Sequence, residues 1–181
     1  GKTTLLNIMS GLLKPASGTV FVEGSDIYSL STSERDDIRL NRIGMIFQEH
    51  SLIVDFTVRE NVELILRVRG FGSRSRVMAI EALERVGIAH LQDRYPRQLS
   101  GGEAQRVGIA RAIAGDRPIL LADEPTGQLD RRNSQMVFEL LRALAEDEKG
   151  RTVVLSSHDP TAKEYAHRSC ELVDGHLEDS C

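Results

Sequence analysis

Three short stretches of the sequence carry residue types that could do chemistry on phosphates. The chain opens Gly1-Lys2-Thr3-Thr4 and runs straight into Leu5, Leu6, Ile8, Met9, Leu12 and Leu13 at helical spacing. This is the second half of a P-loop, in which a glycine-rich turn aims backbone N–H groups at phosphate oxygens and the helix N-terminus adds its positive end. Lys2 would neutralise the β- and γ-phosphates, and the Thr3 hydroxyl would join a Mg²⁺ shell. An ordinary helix that begins Gly-Lys-Thr is the plain alternative. Further along, the apolar run Ile119-Leu120-Leu121-Ala122 ends on Asp123-Glu124-Pro125. Such a strand delivers two adjacent carboxylates to the C-terminal sheet edge, where α/β sheets place ligands. Asp123 suits the Mg²⁺ shell and Glu124 suits polarising an attacking water. The plain alternative is an acidic strand exit before a proline turn.

The third stretch is Leu99-Ser100-Gly101-Gly102-Glu103. Ser100 and Glu103 have the spacing of a capping box for the helix that follows, which needs no function. Two glycines in a first turn, however, weaken a helix by ~1 kcal/mol each relative to alanine. Bare backbone beside a free hydroxyl at a helix N-terminus can approach a phosphate closely, which makes this a second phosphate site, far in sequence from the first.

The elements that must position these groups can be read from periodicity. A helix follows Thr4 up to a stop at Lys14-Pro15 and Gly18, and Thr19 to Ile27 reads as a small hairpin turning at Glu23-Gly24. A polar helical stretch around Ser33 to Asp37 precedes a short buried strand, Ile43 to Phe47, ending at Gln48. Thr57 to about Tyr95 is helical, split by Gly70-Phe71-Gly72-Ser73, with Val58, Val62, Ile65, Leu66, Val77, Ile80, Leu83 and Val86 as core positions. The helix after Ser100 should bury Val107, Ala110, Ile113 and Ala114. Then come a strand Ile119 to Asp123, a helix from Asn133 to about Lys149, a strand Thr152 to Ser156, a short helix, and a last strand around Cys170 to Val173 closed by Asp174-Gly175. Strands alternating with helices imply a mainly parallel α/β sheet, interrupted by the helical block from Thr57 to Gly115. Arg106 and Arg111 read as a solvated polar face.

Bulk properties set bounds. A chain of 181 residues with 40% hydrophobic content can build the core of one globular unit. A net charge of -4 does not suit gripping a nucleic acid through its phosphates. Two cysteines, Cys170 and Cys181, do not make a secreted disulfide framework, so a reducing compartment fits better. The longest apolar runs fall far short of the ~20 residues that span a bilayer, so any membrane association should come through a partner.

Taken in order, Gly1-Lys2-Thr3-Thr4, Gln48, Leu99-Ser100-Gly101-Gly102-Glu103-Ala104-Gln105-Arg106, Asp123-Glu124-Pro125-Thr126-Gly127-Gln128-Leu129-Asp130 and His158 resemble the ATPase domain of ABC transporters, from the first residue to about Gly175. Alone, Gln48 reads as simply polar and His158 as a strand-end core histidine; the joint order is what is specific. The resemblance implies an α/β fold of P-loop NTPase type, a mainly parallel sheet flanked by helices, with an inserted α-helical subdomain and a small antiparallel hairpin. It implies one ATPase domain over 1–181, with 1–56 and 116–181 as catalytic core and 57–115 as the helical subdomain. The implied cofactors are ATP and Mg²⁺. Gly1, Lys2, Thr3 and Thr4 would hold the phosphates, and Thr3, Gln48 and Asp123 would surround the metal. Lys2, Gln48, Glu124 and His158 form the implied catalytic set, with Glu124 as base and His158 at the γ-phosphate. Ser100, Gly101 and Gly102 would close over ATP bound to a second copy, with Asp130 at the seam between them. The implied partners are that second copy and an integral membrane permease on the cytoplasmic face, with no nucleic acid.

The segments Phe56-Thr57-Val58-Arg59-Glu60-Asn61-Val62, Thr126 to Asp130 and Ser157-His158-Asp159-Pro160 are similar to the branch that holds lipoprotein-release and macrolide-export ATPases and the ATPase of a cell-division permease. That likeness implies export or membrane extraction of a lipoprotein or other hydrophobic substrate. Gln128 departs from the asparagine usual in this branch, and Glu103 from the glutamine common in others. Non-transport relatives, regulatory or translation-associated, stay open; a DNA-repair type does not fit the short interval from Glu49 to Gln98. Entering the P-loop midway without an initiator methionine, the sequence reads as a fragment that lacks the family's lead-in strand and adenine-stacking aromatic. By itself it is expected to be poorly stable and to bind ATP weakly.

Overall fold

In the computed structural model, residues 1–180 are described, with side chains through Glu178, and Cys181 lies outside the described residues. In chain order the elements are α1 (Lys2–Met9), β1 (Phe21–Val22), β2 (Ser25–Asp26), α2 (Thr32–Arg42), β3 (Ile43–Ile46), α3 (Val58–Val68), α4 (Ser75–Arg85) and α5 (Gly101–Ile113). They continue with β4 (Ile119–Asp123), α6 (Arg131–Ala145), β5 (Thr152–Ser156), β6 (Ser169–Val173) and β7 (His176–Ser180). Strands β3, β4 and β5 pair in parallel in that order, so β4 is central, while β1–β2 and β6–β7 are antiparallel hairpins.

Alternation of side chains along the central strands sorts the core into two layers. Leu120 and Ala122 of β4, Ile46 of β3, and Val153 and Leu155 of β5 join one apolar cluster with α3 through α6. Ile119 and Leu121, Ile43 and Met45, and Val154 join the other, with Leu6 and Met9 of α1 and the first hairpin. The larger cluster is continuous from the helical block to α6, so α5 packs directly on β3. Gly44 is what permits this approach, because a β-carbon there would run into the carbonyl of Ala112.

Several expectations are corrected. Helix α1 stops at Met9 rather than at Lys14-Pro15. Gly11, at φ +76°, forms a Schellman close with Leu12 N–H on the Asn7 carbonyl at 2.9 Å and Gly11 N–H on the Ile8 carbonyl at 3.1 Å, which leaves Leu12 and Leu13 exposed. Val77 lies on the solvent side of α4, at 58% exposed. Helix α6 begins at Arg131 and ends at Ala145, and the chain turns back after Gly175 into β7, a return strand not foreseen. Nor do Arg106 and Arg111 form a solvated face. Arg106 donates to the Val86 carbonyl at 2.9 Å, and Arg111 donates to the Ser51 and His50 carbonyls at 2.7 and 3.0 Å, with burial lowering its pKa. Among the described residues, no helix is long and apolar enough to cross a membrane.

Candidate functional site

Helix α1 begins at the C-terminal end of the parallel sheet with Gly1 as its cap residue and no side-chain cap bond, so its first N–H groups are left without intrahelical partners. Beside them lies an open cavity of about 250 Å³ lined by Gly1, Lys2, Thr3, Thr4 and Glu124. Free N–H groups, a helix dipole and an ammonium group make this a place for phosphate.

Strand β4 brings Asp123 and Glu124 to the same edge. Asp123 Oδ1 accepts from Ser156 Oγ at 2.7 Å, one strand over, and Glu124 N–H donates to the carbonyl and hydroxyl oxygens of Ser156 at 3.1 and 3.3 Å. Glu124 adopts φ +46°, a left-handed conformation uncommon outside glycine. Its carboxylate meets Lys2 Nζ at 3.1 Å, His158 Nδ1 at 2.7 Å and the His158 N–H at 3.2 Å. Burial pushes the Glu124 pKa up, but the hydrogen bonds from Lys2 and His158 outweigh it and hold the group below its ordinary value. Lys2, Glu124 and His158, far apart in sequence, thus share one carboxylate at the mouth of the cavity. Gln48 lies elsewhere on the same face, against Gly127 of the turn after Glu124, where a β-carbon would come within 2.9 Å of Gln48 Nε2.

Ser100, Gly101 and Gly102 do not line this cavity. Ser100 caps α5 with the full reciprocal box: its hydroxyl and N–H both donate to Glu103 Oε2 at 2.8 Å, and Glu103 N–H returns to the hydroxyl at 3.4 Å. Ser100 and Gly101 are exposed, but Gly102 is buried. A β-carbon at Gly102 would lie 2.7 Å from Asn133 Oδ1, so packing accounts for this glycine. Asn133 in turn belongs to Asp130, whose two carboxylate oxygens accept its N–H and its side-chain amide, each at 2.8 Å. Sequence reasoning missed Ser156 and Asn133 as positioning groups. The one available signal for Ser156 was a hydroxyl at the end of an apolar strand.

The profile of the ABC transporter family matches residues 1–127. A lipoprotein-releasing system ATP-binding protein, LolD of Blochmanniella floridana, is 44% identical over 98% of this chain and 75% of its own length. The macrolide export ATP-binding/permease protein MacB 1/2 of Paracoccus denitrificans is 40% identical over 98% of this chain and 26% of its own length. Among solved structures, the dimeric post-hydrolysis state of the ATP-binding cassette MJ0796 with ADP and Pi superimposes with a TM-score of 0.87 at 38% identity, covering 99% of this chain and 80% of that one. With a family match over 127 of 181 residues and a phosphate cradle beside a strand-end carboxylate pair, the chain belongs to the ABC transporter family, as an ATP-binding and ATP-hydrolysing cassette.

Proposed function

We propose that the cradle at α1 takes the triphosphate of ATP, that Glu124 aligns the hydrolytic water, and that each ATP is completed by Ser100, Gly101 and Gly102 of a second copy. The carrying observation is the shared carboxylate: Glu124 meets both Lys2 and His158 at the mouth of the cavity. Phosphates arriving at α1 compete with Glu124 for Lys2. Once Lys2 turns to them, the carboxylate keeps His158 and gains room for a water. Before ATP arrives, the hydrogen bonds from Lys2 and His158 hold the Glu124 pKa below its ordinary value, and the His158 contact is the part that stays once Lys2 has turned away. Oxygen donors from Thr3, Asp123 and Gln48 suit Mg²⁺, a hard cation that takes few protein ligands and keeps waters and phosphates. When bound, the ion would offset charge on the phosphate oxygens.

In the second copy's role, the Ser100 hydroxyl, which here donates a hydrogen bond to Glu103 Oε2, would donate it to a phosphate oxygen instead. Asp130, at the N-terminus of α6, would sit at the seam. The same reading divides the chain into a catalytic core, 1–56 and 116–181, and a helical part, 57–115, and has the dimer drive an integral membrane permease from the cytoplasmic face. The names of the LolD and MacB relatives favour release or export of a lipoprotein or other hydrophobic substrate. The test is Glu124→Gln. It should retain ATP, accumulate as an ATP-dependent dimer in size exclusion, and lose hydrolysis by about 10²–10⁴-fold. Parental turnover in that variant refutes the base assignment.

A further inference from the structure

The loop between β3 and α3 is fastened to the helical block in a way the nucleotide site does not explain. His50 Nδ1 lies 2.6 Å from Gln105 Oε1 on α5. The two guanidinium nitrogens of Arg111, also on α5, hold the carbonyls of His50 and of Ser51, which sits at φ +47°. Further along the loop, the buried Asn61 of α3 accepts from Ile53 N–H and donates to the carbonyls of Ile53, Phe56 and Thr57. Gln105 is fully buried, and its Nε2 has no partner among the described residues. Whichever way round its amide lies, His50 supplies the one hydrogen bond this buried side chain makes among the described residues. A buried amide held by one bond is a weak core-builder where an apolar residue would serve, so its place calls for another reason.

That reason lies in what each end is attached to. Gln105 is on the helix that Ser100 caps, and His50 is two residues after Gln48 in the loop that follows β3. We infer that His50 is a positioning residue which, through Gln105, locks the Gln48 loop to the Ser100 helix, so that Gln48 reaches the nucleotide of its own copy as Ser100 reaches that of the second copy. The inference rests on the placement of Gln48 and Ser100 at nucleotide proposed above. Arg111 and Asn61 hold the loop backbone on either side; the His50–Gln105 bond is the side-chain link that sets its orientation.

The test compares His50→Phe, which keeps a ring without the bond, Gln105→Leu, which removes the buried amide altogether, the double variant, and His50→Gln, which can restore a bond. For each, the thermal midpoint, kcat and KM for ATP are measured. The single variants should lose about tenfold in kcat, within the usual span of coupling between sites, with KM changed less than about twofold. The double variant should be no worse than the poorer single, and His50→Gln should recover most of the rate. A folded Gln105→Leu with parental kcat overturns the inference even if His50→Phe does not fold, and so does a double variant whose loss is the product of the two singles. Gln48→Ala and Ser100→Ala run alongside. Parental turnover in those would sink the site assignment itself, whereas their failure with intact His50→Phe and Gln105→Leu would sink only the link.

Discussion

Glu124 pairs with Lys2 at 3.1 Å, so the cation proposed to meet ATP stands at the cavity. Lys2→Ala should therefore weaken ATP binding by at least about tenfold, the loss of one charge-assisted contact, in a titration with labelled ATP. Affinity equal to the parent's would place the phosphates elsewhere. Gly102 gives a prediction about packing. Gly102→Ala puts a methyl 2.7 Å from Asn133 Oδ1 and should cost about 1–3 kcal/mol in urea unfolding. Adding Asn133→Ala should recover much of that, since only the Asn133 β-carbon, at an ordinary 3.5 Å, would remain. At this scale the placement was legible where charged types recur at fixed spacing: Lys2, Glu124 and His158 meet beside Asp123 at the end of β4. Ser156 and Asn133 were not legible. A serine at a strand end and an asparagine in a first helical turn acquire roles only from what the neighbouring strand or helix brings to them.

Elements were legible where each end announces itself. The box of Ser100 and Glu103 starts α5 as expected, and strands β3, β4 and β5 follow from apolar runs of strand length. Helix α1 was overextended because Leu12 and Leu13 keep the helical spacing after Gly11 has already closed the helix. Strand β7 was missed because His176-Leu177-Glu178 is polar and pairs in a two-stranded hairpin with no buried face to mark it. Arg111 was misread because its carbonyl partners lie in a loop some sixty residues earlier in the chain. The Ser100 turn caps α5, and its proposed duty at the second copy's ATP can be separated from that capping. Ser100→Ala should lose about 1 kcal/mol of stability as a lost cap, measured by urea unfolding, and should also impair ATP-dependent dimerisation. Ser100→Asp should keep the cap, since aspartate caps as well as serine, while its charge repels a facing phosphate and abolishes the dimer. A Ser100→Asp protein that still dimerises on ATP would leave the turn with capping alone.

The whole molecule gathers many carboxylates whose ionised form is the bonded one. Glu34 is held low by the Ser31 side chain, Glu60 and Glu103 by the N–H groups of Thr57 and Ser100, and Asp130 and Asp159 by the N–H groups of Asn133 and Thr161. Groups whose folded pKa lies below the unfolded value stabilise the fold above that value and lose the contribution as pH falls through the folded one. With ordinary values of 3.8 for Asp and 4.5 for Glu, the melting temperature should hold steady down to about pH 5 and fall below about 4.5. A melting temperature that rises on acidification would contradict this. In the proposed assembly the packing of α5 on α6 and the cavity at α1 would act together, the phosphate cradle of one copy facing the Ser100 turn of another. Mixing Lys2→Ala protein with Ser100→Ala protein tests this most directly. In a mixed dimer one composite site carries both substitutions and the other carries neither, so two inactive proteins should regain ATP hydrolysis on mixing, to about a quarter of the parental rate at equal amounts. A mixture as inactive as its components would mean that Lys2 and Ser100 do not meet across the dimer.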